Sequence, residues 1–276
     1  MSKDLGFFPS GASCFQATAR DTFNAMAVVP TMRMHSSLKV SLGLFAFLLV
    51  PAHAGRSQQA SFHITPMHPV EQLRAEALKE QPPGEKGTRL KADLVELVTL
   101  DATIRLDIRY ATTNNFLGTP VYTEARAFLQ RPAAEALLRA HRELKALGYG
   151  LMIHDGYRPW YVTKIFWDAV PVDKRIFVAD PASGSKHNRG CAVDLSLYDL
   201  KTGKEVDMPS GYDEMTERAY ADYPGGTAEE RARRRLLRQA MEKQGFAVIP
   251  KEWWHFDYKD WTQYPILNVK FEDLGP

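Results

Sequence analysis

Cysteine is nearly missing from this chain: its 276 residues hold two, Cys14 and Cys191. If the N-terminal segment is removed, Cys191 stands alone, which excludes a disulfide-stapled fold. A membrane-spanning segment is missing as well, because the uncharged run Val40 to Val50 is only eleven residues, against the ~20 that a transmembrane helix needs. Charge of one sign is also lacking. Lys and Arg number 35 and Asp and Glu 33, a formal net charge of +2, too small to suggest nucleic acid as a partner. Strands and helices do not alternate as βαβ units, which argues against a doubly wound parallel sheet and favours an α+β fold, a mainly antiparallel sheet packed with helices. At 45% hydrophobic and 25% charged residues, there is enough apolar material for one full core.

The N-terminal quarter divides by composition. Residues 1–33 carry no sustained periodicity and read as a non-native or disordered extension, with Met34 or Met32 as the expected start. Residues 34–54 read as a secretory signal peptide: Lys39, the apolar run, then Ala52-His53-Ala54 as the cleavage site. Export to the periplasm or beyond is expected, with no stable membrane insertion after signal removal. Lacking a Cys after the apolar run, the chain is not expected to carry a lipid anchor. Residues 55–90, with Pro82-Pro83-Gly84 and Gly87, read as a linker of low order containing a short helix over Val70 to Glu80. Residues 91–276 form the expected single domain.

Within that domain, Leu94 to Leu100 and Ile104 to Ile108 read as two strands. Pro132 to Gly148 has Pro in its first turn, apolar residues at three and four, and a closing Gly, so it reads as a helix. His141 on it is expected to be exposed. Tyr149 to His154 is a strand, Asp199 to Lys204 a hairpin turn, and Met208 to Tyr223 irregular. Thr227 and Glu230 form a capping box that opens a helix to about Gln244. Its Arg231, Arg233, Arg234, Arg235 and Arg238 read as a solvated face. Phe246 to Ile249 is a further strand.

The chemistry gathers in Ser185-Lys186-His187-Asn188-Arg189-Gly190-Cys191-Ala192-Val193-Asp194 and Glu252-Trp253-Trp254-His255. Val193, Leu195 and Leu197 alternate with Ala192, Asp194 and Ser196, as in a half-buried strand with Asp194 on its polar face. Gly190 permits a sharp turn before it, so that His187 can fold back toward the same point. His187, Asp194 and His255, each unremarkable alone, together supply three ligands for a catalytic zinc ion, and Glu252 a spare carboxylate to act as base. Arg158, held between a strand end and Pro159, either stabilises an oxyanion or forms a structural salt bridge. Asp213, Glu214 and Glu217 are candidate binders of a cationic group. Cys191 is read as a small strand-entry residue rather than a ligand or nucleophile.

Tyr110-Ala111-Thr112 with Asn115-Phe116, Asp155-Gly156-Tyr157-Arg158-Pro159, Ser185-x-His187-x-Arg189-Gly190-x-Ala192-x-Asp194-Leu195 and Glu252-Trp253-Trp254-His255 occur in the order found in the D-alanyl-D-alanine dipeptidases. The chain resembles that family over about residues 93–265. The resemblance implies the fold of hedgehog-like domains and zinc D,D-peptidases, one Zn²⁺ on His187, Asp194 and His255, Glu252 as base, and Arg158 steadying the tetrahedral intermediate. It also implies that Tyr110 and Asp213 hold the free amino group of a small D,D-dipeptide, with Ser185 lining the site. Two rival expectations stand beside this one: a D,D-carboxypeptidase acting on longer stem peptides, and a zinc-stabilised wall-binding module without catalysis.

Overall fold

The computed structural model describes residues 62–275. The proposed N-terminal extension, the signal peptide, Cys14 and the first part of the proposed linker lie outside them. Among the described residues no helix is long and apolar enough to cross a membrane.

The centre is a five-stranded sheet. In spatial order its strands are β2 (Arg105–Leu106), β4 (Tyr149–Asp155), β5 (Ala192–Asp199), β7 (Glu252–Tyr258) and β6 (Phe246–Ile249). β2 and β4 run parallel, and the other three pairings are antiparallel. This is the mainly antiparallel α+β architecture expected. β1 (Leu94–Glu96) and β3 (Phe128–Gln130) form a separate antiparallel pair.

β5 is central, and its sequence alternation misstates its surroundings. Seven of its eight residues are buried, on both faces, because helices and loops cover the sheet on each side. Burying Val193, Leu195 and Leu197 contributes about 1.5–3 kcal/mol apiece, and Asp194 is carried into the interior with them.

Helix α3 (Arg131–Ala146) starts with Pro in its first turn, and Gly148 beyond its end takes the left-handed conformation, φ 88°. His141 is fully buried, contrary to expectation. It lies on the same helical stripe as Leu137 and Leu144, its Nδ1 accepts from Leu151 N–H at 3.2 Å, and Nε2 lies 2.9 Å from the Thr103 hydroxyl. Those bonds meet its polar requirement, so flanking charge was a poor guide to burial. Helix α5 (Ala228–Lys243) opens with the expected Thr227/Glu230 capping box. Its basic run is not wholly solvated: Arg234 is buried and donates to the carbonyl oxygens of Tyr220 and Tyr223 at 3.2 and 2.8 Å.

Two expected strands are shorter than their apolar runs. Leu94–Leu100 leaves strand geometry after Glu96 for one helical turn, α2 (Leu97–Leu100). There Glu96 is held by Arg126 at 2.8 Å and its carbonyl oxygen accepts from the Thr99 hydroxyl. Ile104–Ile108 pairs only through Arg105 and Leu106, since the chain then turns into a 3₁₀ segment at Arg109. Part of the expected linker is folded: α1 (Val70–Ala77) buries Val70, Leu73 and Ala77 in the main core. Its apolar stripe lies against α4 (Trp160–Ala169), and Arg74 donates to the carbonyl oxygens of Pro120 and Val121.

Candidate metal centre and substrate cavity

Three adjacent strands deliver the site. In the ladder, Asp194 of β5 stands opposite Asp155 of β4 on one side and His255 of β7 on the other, so three functional side chains share one cross-strand row. Register breaks fall beside this row, in β4 between Ile153 and Asp155 and in the β6–β7 pairing between Val248 and Ile249. Such breaks re-aim side chains. Strict alternation would send Glu252 and His255 to opposite faces, yet Glu252, the first residue of β7 and paired with Ile249 at the break, brings Oε2 to 3.7 Å from His255 Nδ1. His187 comes from a 3₁₀ turn that ends at Gly190 with φ 65°. A Cβ there would come within 2.5 Å of the Leu94 side chain, so the turn requires glycine.

His187 Nε2, Asp194 Oδ1 and His255 Nδ1 form a triangle with edges of 3.3, 3.0 and 3.1 Å. Ligands about 2.0–2.1 Å from a tetrahedral ion stand about 3.3 Å apart, so the triangle fits a small divalent cation. The outer atoms support the same reading. His187 Nδ1 lies 2.7 Å from the Gly156 carbonyl oxygen, and His255 Nε2 lies 2.9 Å from Asp257 Oδ1. Each outer nitrogen donates to its oxygen, which turns the inner nitrogen's lone pair toward the triangle. Asp194 Oδ1 is buried with no hydrogen-bond partner. Three electron pairs therefore face one point, and either a cation or a proton must lie among them. Burial would lower the His255 pKa, but the Asp194 and Asp257 carboxylates beside it push it up to about 10, so metal uptake there displaces a proton.

Eight of the ten candidate site residues named from the sequence line one cavity of about 210 Å³: Tyr110, Arg158, Ser185, His187, Asp194, Asp213, Glu252 and His255. Glu214 and Glu217 do not line it; Glu214 is turned away toward Gly211 N–H and the Thr216 hydroxyl. Glu252 is half-buried, its side chain 15% exposed, and the desolvation this brings pushes its carboxyl up to about 7. Arg158 forms the salt bridge that was one of its two expected roles. Its Nε and Nη2 donate to Asp155 Oδ2 at 2.8 and 2.7 Å, while the guanidinium lies 4.9 Å from the Phe166 ring centre on the cavity wall. Ser185 Oγ accepts from His187 N–H at 3.2 Å, so it fixes the ligand turn as well as lining the cavity. Tyr110 OH donates to Asp213 Oδ1 at 3.1 Å, and Asp213 Oδ2 is buried without a partner. Burial, and then the Asp194 charge, raise the Asp213 carboxyl well above the usual carboxylate range. Asp213 holds left-handed backbone, φ 60°, an unusual conformation for a non-glycine residue and one that concentrates at ligand-binding positions. Cys191 is fully buried, its thiol pushed up to about 12 by burial, in keeping with a packing role.

Four supporting residues were not singled out in the sequence. Asp155 accepts from Arg158, from Tyr122 OH at 2.7 Å and from Gly156 N–H at 2.9 Å. Asp257 backs His255. Tyr212 OH donates to Asp194 Oδ2 at 3.0 Å, which leaves Oδ1 as the oxygen facing the triangle. His154 stacks on the Tyr212 ring, centroids 4.6 Å apart and planes 21° apart. Among the described residues Asp107, His154 and Glu205 form a second group close enough to share an ion. However, His154 turns Nδ1 to Asp107 and Nε2 to Glu205, each at 3.4 Å, from opposite edges of the ring, and Arg109 reaches both carboxylates. That geometry is a charge network behind Tyr212: burial would lower the His154 pKa, but the two carboxylates raise it to about 9. Tyr212→Phe, which removes only the hydroxyl, is expected to weaken metal binding about 10- to 100-fold in a chelator competition. An unchanged affinity would show that the hydroxyl does not orient Asp194.

A family model described as D-ala-D-ala dipeptidase matches residues 90–273. A D-alanyl-D-alanine dipeptidase of Escherichia coli is 35% identical over 179 residues, spanning 65% of this chain and 91% of the relative. Proteins of the same name from Enterococcus faecium and Enterococcus faecalis are 38% and 39% identical over 180 and 186 residues, spanning 59% and 61% of this chain and 89% and 92% of the relatives.

Proposed function

The chain belongs to the D-ala-D-ala dipeptidase family, and on that footing we propose that it is a zinc-dependent peptidase that hydrolyses D-Ala-D-Ala, or a closely related short D,D-dipeptide, to free D-amino acids. The setting we propose is turnover or recycling of cell-wall peptides after export to the periplasm. His187, Asp194 and His255 would hold the zinc, which when bound supplies Lewis-acid polarisation and a water acidic enough to ionise near neutral pH.

The protein's own groups do the rest. Glu252 takes a proton from the attacking water and passes it to the nitrogen of the breaking peptide bond, so that one product leaves as a carboxylate and the other as an amine. Arg158, fixed by Asp155, faces the charge that develops on the carbonyl oxygen. Tyr110 and Asp213 hold the substrate's ammonium group.

The observation that carries the dipeptidase reading is Asp213 Oδ2, a buried acceptor with no partner in the cavity shared by Glu252 and the ligand triangle. An unpaired buried acceptor costs about 1–3 kcal/mol, and an ammonium group placed there removes that cost. A long stem peptide has no free amino group so near its scissile bond. The test incubates metal-loaded protein with D-Ala-D-Ala and, separately, with a stem pentapeptide, and measures released D-Ala. Release from the dipeptide alone is expected. Release from the pentapeptide alone would indicate a carboxypeptidase, and release from neither a binding module.

Arg158→Ala should lower turnover about 10²–10³-fold, or about 3 kcal/mol, while metal content by elemental analysis stays unchanged. Because Asp155 is then left as a buried charge without its cation, thermal stability should fall by about 3–5 kcal/mol, and the assay belongs well below the variant's midpoint. Turnover equal to the parent's would remove Arg158 from the reaction.

A further inference from the structure

A free dipeptide carries a second charge, and Asp213 accounts for only the first. Its C-terminal carboxylate loses water on entering the cavity and needs a cationic or hydrogen-bonding partner. Two basic side chains line the wall, Arg158 and Lys186. Arg158 is committed: it is buried, donates twice to Asp155, and lies 5.4 Å from the ring centre of Tyr110, beside the ammonium-binding pair.

Lys186 differs in each respect. Its side chain is 38% exposed and makes one long ion contact, Nζ to Asp257 Oδ2 at 3.4 Å, beside the Trp261 ring at 5.2 Å. Three ammonium hydrogens are thus served by one distant oxygen, so a ligand can be bound without breaking a short bond. Its place also suits the second charge. A line of contacts runs from Tyr212 to Asp194, to His255, to Asp257 and so to Lys186. Asp213, next to Tyr212 in the chain, and Lys186 both line the cavity that holds the ligand triangle, and the contacts connect Tyr212 to Lys186 by way of the ligands Asp194 and His255.

We propose that Lys186 is a specificity-determining residue whose ammonium group binds the free C-terminal carboxylate of the substrate, so that the site selects dipeptides with both ends unblocked. The proposal rests on the dipeptidase reading and adds to it the chemistry demanded at the substrate's far end.

The experiment compares kcat/KM for D-Ala-D-Ala and for its C-terminal amide in the metal-loaded parent, Lys186→Met and Lys186→Arg. Within each protein the acid-to-amide ratio cancels any general effect of the substitution on the metal site. The parent should prefer the acid by about 10- to 100-fold, the worth of a hydrogen bond to a charged group, with the difference mostly in KM. Lys186→Met should bring the ratio to within a few-fold of one, and Lys186→Arg should restore most of it. A full acid preference in Lys186→Met, or none in the parent, would overturn the assignment while leaving the dipeptidase reading intact. Hydrolysis of neither compound by the metal-loaded parent would overturn both.

Discussion

Glu252→Gln is expected to lower kcat by about 10²–10⁴-fold and to leave metal content at one ion per chain. The amide has nearly the shape of the acid and sits in the same half-buried position, but it cannot accept a proton from water. Its pH profile should change as well. Burial pushes the parent's carboxyl up to about 7, and a nearby cation pulls it back down, since positive charge favours the carboxylate. Only the ionised form acts as a base, so the parent's activity falls as pH drops through this pKa. Gln at this position has no such titration, so the acidic limb should disappear from what activity remains. Elemental analysis and kcat measured against pH check both statements, and an unaltered acidic limb with parental turnover would place the base elsewhere.

His255→Ala should remove the metal itself. Of three donors spaced 3.0–3.3 Å apart two would remain, and Asp257 would lose the imidazole it orients. Purified variant is expected to contain almost no zinc and to release no D-Ala. A second consequence can be read without an activity assay. A ligand that binds only the folded state stabilises it by about 2.7 kcal/mol at a hundred times its Kd, so added zinc should raise the parent's melting temperature and leave the variant's unchanged. A variant that still takes up one zinc would show that His255 is not a ligand.

The parts of this site that were legible in the sequence are those whose signal is local. Gly190 before an alternating run fixes the turn that presents His187, and the alternation places Asp194 on a strand. Pro132, Gly148 and the Thr227/Glu230 box mark helix ends by their own chemistry. Depth was harder to read. His141 shares a stripe with Leu137 and Leu144, a period that pointed inward, but its charged neighbours in sequence suggested solvent. Arg234 was hidden among other arginines because its carbonyl partners belong to an irregular loop. Asp257, two residues beyond His255 on the same strand face, carried a signal that could have been used. Tyr212 carried none: it lies in a segment without periodicity, and only the folded chain brings its hydroxyl to Asp194. Glu252 shows the limit most plainly, since alternation alone sets it opposite His255 and the register break undoes that.

The most direct test of a shared metal as the basis of activity is a titration of metal-free protein with zinc, with D-Ala release from D-Ala-D-Ala followed at each addition. Release should be absent at the start, rise in proportion to bound zinc, and level off at one equivalent per chain. Full release from the metal-free protein, or a plateau unrelated to occupancy, would contradict the account.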